Sequence, residues 1–194
     1  YLKLLDIDFP KKFVDKFQGP KFGIQGIRDI LGAYDRPLLN NMIKPCTGYT
    51  PDVGAKLFFE AAAGGVDVIK DDELIGGDRS FNKLADRVKA NMDAAHRAEE
   101  IKGEKTLYAC NITDEISRLK DNAMTVIENG GNCIMLDVHG VGYSAVRMPA
   151  EDPDNTVLIL GNSCFNGAFT CSPYQGISSK VVTKLCRTAG WYVY

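Results

Sequence analysis

Four consecutive ionisable side chains, Lys70-Asp71-Asp72-Glu73, follow a short, mostly apolar run, Val66-Asp67-Val68-Ile69. Asp72 and Glu73 bring carboxylate oxygens, the donors that a hard cation such as Mg²⁺ prefers. An ammonium repels a metal, so Lys70 fits beside them in one of two forms: as their counter-charge, or as an anion after carbamylation of its amine. Spacing alone leaves open both a charge-paired strand end and a metal site. Other chemically capable residues stand in similar places, each at or just past the end of an apolar run: Lys44, Asn111, Asp137 with His139, and Asn162 with Ser163. A lysine stripped of water and crowded by cations can lose its proton and act as a base, whereas a solvated loop lysine cannot, and Lys44 is open to both readings. His139, just before Gly140, is placed either to face a ligand or to make a structural hydrogen bond, while His96 falls inside a long helical pattern and reads as a surface residue. Gly140-Val141-Gly142 lacks the full G-x-G-x-x-G pattern and reads as a strand-to-helix turn rather than a nucleotide loop.

The elements that must position these residues alternate along the chain. Residues 1–35 carry Pro, Gly and mixed charge and read as a connector with one short amphipathic piece at 13–17. Apolar strand patterns fall at 36–43, 66–69, 106–112, 133–138 and 157–160, with a further candidate at 191–194. Between them lie helical patterns. The first opens at Thr50 as N-cap with Pro51 in the first turn and stops at Gly64-Gly65. The others are expected at 80–102, from 113–115 through Ile127, at 143–150 and at 177–188. Strands alternating with helices imply right-handed βαβ units and a parallel sheet, and near-continuous apolar strands fit a sheet covered on both faces. Five to six units fall short of the eight in a closed barrel, so the pattern alone allows an open doubly wound sheet or a partial barrel.

Composition narrows the function classes. A length of 194 residues suggests one domain, and 45% hydrophobic content is enough for a core. A net charge of −2 leaves no basic footprint for nucleic acid, and no apolar run approaches the roughly 20 residues needed to span a bilayer. The start, Tyr1-Leu2-Lys3-Leu4-Leu5, has no signal-peptide pattern and no initiator Met, and reads as the beginning of a fragment or processed chain. Six scattered cysteines without a C-x-x-C pair read as free thiols of a cytoplasmic protein.

Two ordered motifs carry a resemblance that spans nearly the whole chain. Val66-Asp67-Val68-Ile69-Lys70-Asp71-Asp72-Glu73 resembles the metal-binding segment of the RuBisCO large chain. Upstream, Gln18-Gly19-Pro20, Gly23-Ile24-Gln25, Arg36-Pro37-Leu38-Leu39 and Ile43-Lys44-Pro45 resemble that family's entry into its barrel, in the same order. The resemblance implies an α/β fold of the (β/α)8 TIM-barrel type, partial here, with residues 1–35 leading into a barrel portion at 36–194. It further implies Mg²⁺ held by carbamylated Lys70, Asp72 and Glu73, with CO₂ entering as the carbamate. Lys44 and Lys70 become the catalytic lysines, and Asn111, His139, Asn162 and Ser163 the substrate-binding set.

Departures within the motifs point to the RuBisCO-like (form IV) branch. Cys46 stands where true carboxylases carry the second lysine of Lys-Pro-Lys, and a thiol cannot supply that charge. Asn162-Ser163-Cys164-Phe165-Asn166 stands where they carry His-Arg-x-x-His. Asparagine and serine can hydrogen-bond a sugar hydroxyl but cannot shuttle a proton at neutral pH or hold a phosphate by charge. The family's mobile loop and glycine-rich phosphate cradle are expected beyond Tyr194. The implied activity is a Mg²⁺-dependent enolase or isomerase acting on a phosphorylated ketose through an enediolate, in a cytoplasmic homodimer. The alternatives are a carboxylase or decarboxylase with the same chemistry, and a non-catalytic truncated barrel.

Overall fold

The computed structural model describes residues 1–46 and 48–191. Its main sheet has five parallel strands, β2 (Asn40–Met42), β3 (Val68–Lys70), β4 (Leu107–Asn111), β5 (Cys133–Asp137) and β6 (Leu158–Asn162), in that spatial order. A short strand β1 (Lys3–Leu4) pairs instead with β7 (Gly176–Ile177) in a two-stranded parallel sheet. Each connection within the main sheet carries a helix: α3 (Pro51–Ala63), α4 (Leu84–Lys102), α5 (Ile116–Glu128) and then the pair α6 (Val138–Val141) and α7 (Tyr143–Glu151).

The strand order decides between the two architectures left open by the sequence. A doubly wound sheet reverses its order at a switch point. Here the order never reverses, so right-handed crossovers put every one of these helices on the same face, as in a barrel wall. The sheet also curls. In a flat sheet β3 and β6 would lie about 14 Å apart, yet the Lys70 Nζ on β3 reaches Asn162 Oδ1 on β6 at 3.4 Å. The fold is therefore a five-strand arc of a (β/α) barrel.

Every residue of β3, β4 and β5 is buried, which accounts for their near-continuous apolar sequences. Phe58 of α3 meets Tyr108 of β4 edge to face at 5.5 Å between ring centroids, joining the helical layer to the sheet. At the amino-terminal ends of the strands, Arg36 grips Asp67 with two bonds of 2.8 Å while Leu39 N–H donates to the same carboxylate at 2.7 Å.

Most helices fall where the apolar spacing puts them, and three details differ. Residues 1–35 hold more than a short amphipathic piece. Besides α1 (Lys11–Val14) they form α2 (Gly23–Leu31), which buries Ile27 and Leu31 against the core and ends at Gly32 with φ +70°. The long helix starts at Leu84 rather than at 80, because Asp78 Oδ1 accepts from Leu84 N–H at 3.0 Å and caps the first turn from upstream. The segment after β6 folds into α8 (Asn166–Thr170) before α9 (Ser179–Thr188). Of the strand expected at 191–194, residues 192–194 lie outside the described residues. Trp191 is in no strand and packs closely on Gly161 of β6, where a Cβ would lie 1.5 Å from its ring.

Candidate active site

The carboxyl ends of the strands bring the charged residues together. Strand alternation sends Lys70 and Asp72 one way and Asp71 the other. Asp71 leaves the acidic cluster for the sheet–helix interface. Its carboxylate accepts from Arg87 Nε of α4 at 3.0 Å, from the Tyr108 hydroxyl at 2.8 Å and from Asn111 N–H at 3.0 Å. Arg87 then donates to the carbonyls of Asn82 and Asn111, both at 3.1 Å. The buried pair thus fastens the loop after β3 to the end of β4. Burial drives the Tyr108 hydroxyl well above its usual range, with the Asp71 charge adding to it, so this tyrosine stays a neutral donor.

On the other side, Lys44 Nζ is hydrogen-bonded and ion-paired to Asp72 Oδ2 and lies 3.9 Å from Glu73 Oε2. Lys70 Nζ is 3.7 Å from that same Glu73 oxygen. Glu73 Oε2 is buried and has no hydrogen-bond donor among the described residues. The two lysines differ sharply: 54% of the Lys44 side chain is exposed but only 10% of that of Lys70. Hydrogen bonding to Asp72 raises Lys44 above the ordinary lysine range, outweighing desolvation. In this arrangement Lys44 is a firmly held cation, not a lysine with a lowered pKa. Lys70 has weaker partners, Met42 Sδ and Asn162 Oδ1, each at 3.4 Å.

Asp137 at the end of β5 accepts from Asn162 Nδ2 at 2.6 Å. Burial pushes its carboxyl up to about 6 despite that bond, and the nearby Glu73 and Asp72 charges add to the rise. Asn111, expected among the substrate-binding residues, has its carboxamide engaged with the chain itself. Its Nδ2 donates to the Asp72 and Glu73 carbonyls at 3.3 and 3.0 Å, and its Oδ1 accepts from Thr113 N–H at 3.0 Å. His139 lies in the one-turn helix α6 that follows β5 and stacks on Phe169 at 4.6 Å, with Nε2 buried and without a hydrogen-bond partner among the described residues. Ser163 follows β6 at the same end of the sheet and is partly buried. His96 is exposed on α4, as its place in the helical pattern implied. Cys46 is half-buried in the loop after β2.

Of the residues that sequence reading picks out, Lys44, Lys70, Asp72, Glu73, Asn162 and Asp137 converge at one mouth, Ser163 follows at the same end, the Asn111 carboxamide is engaged with the chain, and His139 is stacked on Phe169. That reading treated Asp71 as one more acid of the cluster, although alternation from Lys70 was the signal that it points away. It gave no role to Arg87 or Tyr108, which lie on separate elements and meet Asp71 only through the fold.

Residues 23–192 match the model of the ribulose bisphosphate carboxylase large chain, catalytic domain. A ribulose bisphosphate carboxylase-like protein of Archaeoglobus fulgidus is 50% identical over 190 residues, covering 97% of this chain and 43% of that protein. A ribulose bisphosphate carboxylase of Methanosarcina barkeri is 38% identical, covering 97% and 44%. Among solved structures, a rubisco-like protein (MtnW) of Alicyclobacillus acidocaldarius superposes with a TM-score of 0.91 at 37% identity, covering 97% of this chain and 48% of that one. A dimeric archaeal Rubisco from Hyperthermus butylicus superposes at 0.89 and 37% identity, covering 94% and 43%. The chain spans less than half the length of these relatives.

Proposed function

Because the chain belongs to the ribulose bisphosphate carboxylase large-chain superfamily, on its RuBisCO-like branch, we propose that it carries the metal-holding half of a site that enolises a phosphorylated ketose. The observation that carries this reading is the buried Glu73 Oε2, which lacks a hydrogen bond and lies between two lysines at 3.7 and 3.9 Å, beside Asp72. Neither ammonium is within hydrogen-bond distance, so this buried oxygen has room for a closer cation.

The donor set fits Mg²⁺ only with Lys70 altered. Among the described residues no three His, Cys, Asp or Glu side chains are grouped to hold a metal ion. A carbamate on Lys70 adds the missing oxygens beside Asp72 and Glu73, and the chemistry of that set, hard anionic oxygens, suits Mg²⁺. The poorly partnered, nearly buried amine of Lys70 favours such a change. When bound, the ion supplies a Lewis acid that stabilises the negative charge left when the α-proton of the ketose departs. Lys44, as a cation at the mouth, is suited to holding a developing oxyanion or a phosphate oxygen. To take a proton it must first part from Asp72. Ser163 and His139 are suited to sugar hydroxyls, and the unpartnered Nε2 of His139 supports its place in that set. Asn162, whose carboxamide is shared between Asp137 and Lys70, keeps only the second lone pair of its oxygen for such a contact. Asn111 enters as the brace of the Asp72–Glu73 backbone. We take residues 36–194 as the barrel portion and 1–35 as its lead-in, and the natural assembly as a homodimer, in line with the dimeric Rubisco of Hyperthermus butylicus.

Carboxylation is the weaker reading. Asn162 and Ser163 offer no charge for a phosphate, and Cys46 offers none near Lys44. The test is exchange of the α-proton. With Mg²⁺ and bicarbonate in D₂O, phosphorylated ketoses should lose their α-proton signal in ¹H NMR. Lys44→Met should slow that loss by about 100-fold or more, the scale of one acid–base or charge-stabilising group. Exchange that is absent with every ketose tried, or unaffected in Lys44→Met, would overturn the proposal.

A further inference from the structure

The metal-holding reading concerns β3, but the amine that must be modified is held from across the barrel. Lys70 Nζ meets Asn162 Oδ1 at 3.4 Å, and the same carboxamide donates through Nδ2 to Asp137 Oδ1 at 2.6 Å. A carboxamide can present either its oxygen or its NH₂ to a neighbour. The carboxylate of Asp137 only accepts when ionised, so it takes the NH₂ and turns the oxygen toward Lys70. This orientation suits the amine in both forms. An ammonium donates to that oxygen, and the N–H of a carbamate donates to it too. The reversed amide would put an NH₂ against the lysine nitrogen, with no bond to make.

We propose that Asp137 and Asn162 form a positioning pair for Lys70, fixing its nitrogen at the barrel mouth for reaction with CO₂. The proposal rests on the enolisation reading only in needing Lys70 to be carbamylated. In that step Lys70 Nζ, after giving one proton to solvent, attacks the carbon of CO₂. An N–C bond forms, a C–O π pair moves onto oxygen, and a second proton leaves the nitrogen. One ammonium and one CO₂ become one carbamate and two protons, with no redox change. The lone pair must point into the mouth beside Glu73 rather than back toward Met42, and the Asn162 oxygen is the contact that sets this from the far wall. Neither Asp137 nor Asn162 is expected to touch the reacting carbon.

The test reads the carbamate itself. The chain in ¹³C-bicarbonate and Mg²⁺ is expected to show a carbamate ¹³C resonance that Lys70→Ala lacks. Asn162→Leu and Asp137→Ala should reduce its occupancy about fivefold or more at fixed bicarbonate, the effect of losing one hydrogen bond to a charged or modified group. Asp137→Asn keeps an acceptor oxygen but can also present its NH₂, so it should restore the occupancy only in part. Thermal melting of each variant separates this effect from loss of fold, and Asp137→Ala serves if Asn162→Leu does not fold. A resonance present in the parent chain and unchanged in both folded variants would overturn the positioning role while leaving the metal site intact. No resonance in the parent chain would overturn the carbamate reading and this one together.

Discussion

Asp137 carries a cost at neutral pH. Its carboxyl is pushed up to about 6 by burial and by the acids across the mouth. A carboxyl whose folded pKa lies above its unfolded value destabilises the fold when ionised. The cost is absent below about pH 4, grows through the window between about 4 and 6, and is full above it. Asp137→Asn should therefore raise stability by roughly 1–2 kcal/mol at pH 8, allowing for screening at a partly open site, and by almost nothing at pH 4. Urea melts at the two pH values check this, and an equal shift at both would contradict it. The same residue illustrates what sequence can carry. Asp137 was visible at a strand end, but its neutralising environment comes from Asn162, Glu73 and Asp72, which only the curl of the sheet brings near.

At the scale of elements, β3 is tied down at both ends, and differently at each. Its carboxyl end is held by the Asp71–Arg87–Tyr108 network and the Asn111 brace. Its amino end is held by Asp67, which precedes it, under Arg36 and the Leu39 N–H. Burial pushes Asp67 up, but the Arg36 guanidinium and the Leu39 amide outweigh it and hold the carboxyl below its ordinary range. A depressed folded pKa gives stability that is present above the unfolded value and lost as pH falls through the folded one. Asp67→Asn should cost about 2–3 kcal/mol at pH 7 and progressively less as the pH drops below about 4, measured by chemical denaturation. Elements were the most legible level of the chain. The Thr50–Pro51 start and Gly64 stop of α3 are written in local residues, as is the left-handed Gly103 that closes α4. Helix α2 was hidden because Gly23, Gly26 and Pro20 look like loop residues, and only its packing against the core outweighs them. The pairing of β1 with β7 joins residues some 170 positions apart and leaves no local trace.

At the scale of the whole molecule, the sheet turns a list of strand ends into one mouth. Lys44 follows β2, Lys70 ends β3, Asn111 ends β4, Asp137 ends β5 and Asn162 ends β6. Alternating elements predicted a parallel sheet, but not whether it was wound singly or doubly; the unreversed strand order and the Lys70–Asn162 contact decide that. Candidate residues could be picked by type and place, while their division into site and scaffold, Asp72 and Glu73 on one side and Asp71 on the other, needed the geometry. No helix among the described residues is long and apolar enough to cross a membrane. The central claim is that Lys70, Asp72 and Glu73 form a cation site completed by CO₂. Calorimetric titration with Mg²⁺, with and without bicarbonate, on the parent chain and on Lys70→Ala, tests it most directly. The account predicts binding that bicarbonate strengthens by tenfold or more, about 1.4 kcal/mol, and that Lys70→Ala abolishes. Binding that ignores bicarbonate, or that survives in Lys70→Ala, would contradict it.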